Sequence, residues 1–109
     1  MLFFGHLAPP TISGYKTGHR LSVDDMVVLA CTASVPGGAL SWYHGSSVDQ
    51  RPLSSACNTT RTSNGDVTRC NLTLVARPEH NGANYNCSAS YDDPSVVMTS
   101  SIQLTVLCE

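Results

Sequence analysis

Val27-Val28-Leu29-Ala30-Cys31, then Leu40-Ser41-Trp42-Tyr43, then Tyr85-Asn86-Cys87 are the segments whose reading decides the fold. In the first, Val27, Leu29, Cys31 and Ala33 alternate with their neighbours, so all four point to one face of a strand. In the second, Leu40 and Trp42 point inward while Ser41 and Tyr43 point outward. Tyr85, Cys87 and Ala89 again share a face. Cys31 and Cys87 lie 56 residues apart, and both fall in phase with core positions. A bond between them would therefore cross from one sheet to another, with Trp42 packed on it. Closing so long a loop contributes roughly 4 kcal/mol in the chain-entropy model.

The chain outside this stretch agrees with an all-β reading. Thr11-Ile12-Ser13-Gly14-Tyr15 reads as a short edge strand, and Leu21-Ser22-Val23 as its continuation after Gly18. Pro36-Gly37-Gly38 is a turn signal, and Gly45 to Pro52 a loop or weak edge strand. Residues 57–74 read as two strands around Ser63-Asn64-Gly65-Asp66, because both residues of an Asn-Gly pair tolerate positive φ. Leu72 and Leu74 alternate inward. Arg77-Pro78-Glu79-His80 is a turn or short helical bend, and Asp92-Asp93-Pro94 a hairpin tip. Ile102 to Val106 reads as the last strand. Short strands at regular spacing, with no helical period, predict a sandwich.

The totals fit one domain of 109 residues. Hydrophobic residues at 41% argue against disorder. A net charge of -2, with six scattered Lys and Arg, leaves no electrostatic footprint for nucleic acid. No apolar run approaches the roughly 20 residues that span a membrane, and Met1-Leu2-Phe3-Phe4 is too short for a signal-peptide core. Residues 1–8 read as a non-native start or the tail of a preceding domain, Ala8-Pro9-Pro10 as a hinge, 9–107 as the domain, and 108–109 as the start of a linker.

Five cysteines without a C-x-x-C pair favour disulfides over zinc, and an oxidising, extracellular setting. Cys57 and Cys70 flank the Asn64-Gly65 hairpin and can meet across it, for roughly 3 kcal/mol. The competing arrangement joins either one to Cys108; Cys108 otherwise pairs outside the chain. Asn58-Thr59-Thr60 and Asn71-Leu72-Thr73 are N-glycosylation sequons at loop or outward positions. Asn86-Cys87-Ser88 fits the pattern more weakly, because its middle residue is a disulfide candidate. His6, His19, His44 and His80 are scattered, no G-x-S-x-G elbow or phosphate loop is present, and neither an enzyme, a metal site nor a cofactor is expected.

Cys70 to Ala89, with its Asn71-Leu72-Thr73-Leu74 start and its Asn81-Gly82-Ala83-Asn84-Tyr85-Asn86-Cys87 end, resembles C2-type immunoglobulin domains, closest to nephrin-like and CD80-like C2-set adhesion receptors. The opening Pro9-Pro10-Thr11-Ile12-Ser13 and the close Leu104-Thr105-Val106-Leu107 are similar to the ends of such repeats. The resemblance implies an immunoglobulin-like two-sheet sandwich with Greek-key connections, of C2 or I type. In such domains the tyrosine at position 85 bonds backbone a few residues upstream. Asn81 stands where an Asp is usual, Asp24 where a Gly is usual and Arg77 where an apolar residue is usual. The resemblance further implies an extracellular module of a single-pass, multi-domain cell-surface adhesion receptor that binds other immunoglobulin-superfamily or cell-surface proteins, or itself. Its binding face would present Ser41, Tyr43, Asn86, Ser88, Gln103 and Thr105, with Tyr43 as anchor. A structural spacer and a secreted immune or decoy protein are the competing functions.

Overall fold

A computed structural model describes residues 8–35, 39–45, 50–63, 65–91 and 96–107. The Pro36-Gly37-Gly38 turn, Asn64, the Asp92-Asp93-Pro94 tip, residues 1–7, His6 among them, and Cys108 lie outside the described residues. Among the described residues ten strands follow in order: β1 (Thr11–Ser13), β2 (Arg20–Ser22), β3 (Met26–Ala33), β4 (Leu40–Gly45), β5 (Gln50–Leu53), β6 (Ala56–Thr62), β7 (Gly65–Val75), β8 (Asn84–Ser90), β9 (Val97–Gln103) and β10 (Thr105–Leu107). Among the described residues one 3-10 turn, Pro78–His80, interrupts them. One sheet has the order β1-β3-β7-β6 and the other β5-β4-β8-β9. β3, β4, β7 and β8 occupy the sheet centres, which is why their inward positions are the most apolar of the chain.

Alternation placed those inward residues correctly. Leu29, Cys31, Trp42, Cys70, Cys87, Ala89 and Leu104 are buried between the sheets. The indole N–H of Trp42 donates to the Cys70 carbonyl at 3.0 Å, so this side chain bridges the sheets as well as filling the core. Cys31 bonds Cys87, and Cys57 bonds Cys70. Cys57, Cys70 and Cys31 are register partners across β6, β7 and β3, while Trp42 and Cys87 are partners on the facing sheet. Both disulfides and the tryptophan therefore share one cross-section of the sandwich.

Two expectations need correction. Leu21-Ser22-Val23 does not continue the first edge strand: β1 pairs with β3, whereas β2 crosses over and pairs parallel with β10. Gly14 makes that crossing, at φ 95°, with its Cα so close to β3 that a Cβ would stand 2.0 Å from the Val28 carbonyl oxygen. The last strand begins at Val97 rather than Ile102, and it breaks at Leu104, where the partner switches from β8 to β2. The segment Ala8-Pro9-Pro10, read as a hinge, is bonded to the domain through two of its carbonyls. Tyr91 donates to the Ala8 carbonyl at 2.6 Å, and Ser100 to that of Pro10 at 2.6 Å.

Candidate functional site

The outer face of the β5-β4-β8-β9 sheet is where the resemblance puts a binding surface. Strand pairing lines Ser41 up with Ser88 and Thr99, Tyr43 with Asn86 and Ser101, and Asn84 with Gln103. Pro52 of the edge strand β5 lies opposite Tyr43. Side chains tie these rows together. Ser88 and Thr99 share a hydroxyl–hydroxyl bond of 2.9 Å, Ser101 donates to Asn86 Oδ1 at 2.5 Å, and Gln103 donates to the Gly82 carbonyl at 3.2 Å. No outward position on this face among the described residues carries a charged side chain.

Ser41 and Gln103 are exposed as expected, and Tyr43 and Ser88 are half-buried. Asn86 is not an exposed contact residue. It is only 7% exposed, because its amide is spent inside the sheet, accepting from Ser101 and donating to the Gly45 carbonyl at 3.0 Å. Thr105 falls beyond the ladder, on β10 beside Arg20, where its N–H donates to the Tyr15 hydroxyl at 3.1 Å. The face gains Asn84 at the start of β8, and Val97, Thr99 and Ser101, which a late start for the final strand hides. The β-branched Val97 and Thr99, with Ser101 in phase after them, were the available signal.

Tyr85 does not form the expected corner bond: its hydroxyl makes no hydrogen bond among the described residues. Its ring is buried and stacks on His44, with centroids 4.9 Å apart, and burial raises the phenol's pKa above its ordinary value. Asn81, where an Asp is usual, accepts the Val106 N–H through its Oδ1 at 3.0 Å. Among the described residues no three His, Cys, Asp or Glu side chains converge on a common point. The two sequon residues lie on the other sheet, Asn58 exposed on β6 and Asn71 half-buried on β7.

The chain matches the family described as Immunoglobulin domain over residues 17–100, and it belongs to that family. A search of curated proteins returned no significant match. Among solved structures it is similar to the crystal structure of Rst D1-D2, at a TM-score of 0.71 and 16% identity over 91% of this chain and 50% of that one. It is also similar to the full ectodomain (Ig1-Ig3) of mouse nectin-like molecule 4, at a TM-score of 0.66 and 11% identity over 89% of this chain and 33% of that one. The chain thus spans half the length of the first and a third of the second. At these identities the likeness is one of fold. Two disulfides fit a domain matured in an oxidising compartment.

Proposed function

We propose that this domain is an extracellular adhesion or recognition module of a multi-domain cell-surface protein, and that it docks a protein partner on the outer face of β5-β4-β8-β9. One observation carries the reading: that face is free of charged side chains at its described outward positions and holds Tyr43 near its middle. Interface centres are depleted in charge and enriched in tyrosine, because removing a charge from water is costly while an aromatic ring brings a large apolar area. The hydroxyl and amide bonds within the face satisfy part of its polar surface before any partner arrives, which lowers the desolvation cost of docking. The presence of β5 as a single added strand among the described residues favours a C-type or I-type domain over a variable one. The matched ectodomains, built of several such units, support a place within a longer array.

The test is bead clustering with the secreted domain. Tyr43→Ala weakens clustering, or binding to cells bearing the partner, about tenfold, the scale of a hot-spot side chain. Arg61→Ala, on an exposed residue of the opposite sheet, leaves it unchanged. Unchanged clustering with folded Tyr43→Ala protein would sink this face and favour the spacer reading. The sequence flanking the domain separates a receptor from a secreted decoy: a membrane-spanning segment belongs to the receptor.

A further inference from the structure

We propose that Asn58 and Asn71 carry a pair of N-linked glycans on the β1-β3-β7-β6 sheet, and that the Asn71 glycan covers an apolar strip formed by Met26, Val28 and Val75. The inference rests on the extracellular reading above, since the modification belongs to the secretory route. In the sequence the two sequons are simply 13 residues apart. In the fold they are neighbours. Asn58 lies opposite Arg69, and Ala56 opposite Asn71, so the two asparagines point from the same face, one strand over and two residues along.

The fold can carry the linkage at the Asn71 amide. Arg69 Nε donates to its Oδ1 at 3.3 Å, and its Nδ2 makes no hydrogen bond among the described residues. In glycan transfer Nδ2 attacks the anomeric carbon of a lipid-diphosphate-linked oligosaccharide. A C–N bond forms, the C–O bond to phosphate breaks, the lipid diphosphate leaves with that electron pair, and the amide nitrogen gives up one proton. Asn86 is the contrasting sequon residue. Both ends of its amide are engaged within the opposite sheet, and the position is buried, so a sugar there would break the Gly45 and Ser101 bonds.

The surface around Asn71 suits a sugar. Val28 lies opposite Thr73, and Met26 opposite Val75, so the strip begins one outward position from Asn71. Met26 is 70% exposed, and Val28 and Val75 are nearly 40% exposed. Where the chain leaves the sheet at Gly14, a groove of about 1040 Å³ opens, lined among others by Tyr15, Val28, Ala30, Arg69 and Asn71. Sugar rings present carbon-bound hydrogens on one face and hydroxyls at the rim. The first sugars of the Asn71 glycan lie with that apolar face on Val28 and the strip beyond it and turn hydroxyls to water. This answers an exposed apolar patch that would otherwise invite association. The Asn58 glycan stands on β6, the sheet edge, where its bulk obstructs pairing with another strand. Glycans thus occupy one sheet and leave the proposed docking sheet bare.

The full chain, secreted from a glycosylating eukaryotic host, provides the test. Peptide mapping after a glycosidase that leaves aspartate at each released site should show conversion at Asn58 and Asn71 and not at Asn86. Thr73→Ala, which removes the Asn71 sequon and keeps the asparagine, should raise binding of an apolar fluorescent dye to the folded protein several-fold. Thr73→Ser, which keeps the sequon, should leave it at the wild-type level. Met26→Ser with Val28→Thr in the Thr73→Ala chain should bring the signal back down. If Thr73→Ala is not secreted, native enzymatic trimming of the wild-type protein supplies the same comparison. Folded, secreted protein with an unmodified Asn71, or dye binding indifferent to loss of that glycan, overturns the proposal. Bead clustering is read separately, so a glycosylated but non-adhesive domain would defeat the docking face and leave this inference standing.

Discussion

Tyr85 is a buried tyrosine whose hydroxyl has no hydrogen-bond partner among the described residues, and its burial couples its ionisation to the fold. Burial disfavours the phenolate, so the folded-state pKa lies above 10.0. The folded protein therefore holds this proton more tightly than the unfolded chain. Stability from this residue is intact below the unfolded value and falls as pH rises past it toward the folded value. Urea midpoints at about pH 9 and about pH 11 should separate wild type from Tyr85→Phe. Wild type should lose more stability across that interval; parallel losses would show that Tyr85 ionisation is not coupled to unfolding. Two other residues also depart from the usual family pattern, and they meet. Asp24 adopts φ 77°, the backbone region that makes Gly usual there, and its carboxylate lies 3.7 Å from Arg77. The pair is exposed, so it adds little to stability, but it gives both polar residues a local partner.

Among the elements, the crossing between β1 and β2 is the one most dependent on a single residue. Gly14 combines a positive φ with a close approach to the Val28 carbonyl; Gly18 has a similar φ of 90° and nothing within 4 Å of its would-be Cβ. Gly18→Ala should therefore cost about 1 kcal/mol, the left-handed backbone penalty alone. Gly14→Ala should cost more, about 2 kcal/mol or above, because β1 must also move off β3. Equal losses in urea denaturation would mean that the close approach does not hold the crossing. The same element shows where alternation stops being informative. Residues 11–15 and 21–23 both have strand-like patterns, and Leu21 does face the core. The period of two fixes which side of a strand is inward, but not which sheet the strand joins. The break at Leu104 was hidden for a related reason: Ile102, Leu104 and Val106 stay in phase while their strand changes partners.

At the scale of the whole molecule, the core was legible because its signal is local and periodic. The proposed docking face was only partly legible. Asn86 has the outward phase of a contact residue, yet its burial comes from Gly45 and Ser101, which are remote in sequence. The cysteine pairing had the same difficulty. Spacing allowed Cys57 to join Cys70 or Cys108; register across β6 and β7 decides for Cys70. Nesting one bond's loop inside the other's has a mechanical consequence when the chain is pulled from its two ends. Pulled by the segments before Cys31 and after Cys87, the oxidised domain can release only chain outside the 56-residue loop. Reducing the Cys31–Cys87 bond alone should lengthen the unfolding step by about 145 Å, since the inner bond still withholds its 13 residues. Reducing both should add a further ~45 Å, at roughly 3.4 Å per residue. Single-molecule extension that shows one undivided step, or none, would contradict this nesting. The sandwich is thus a tether with two stops, one inside the other, and its reach under load is set by how many of them are closed.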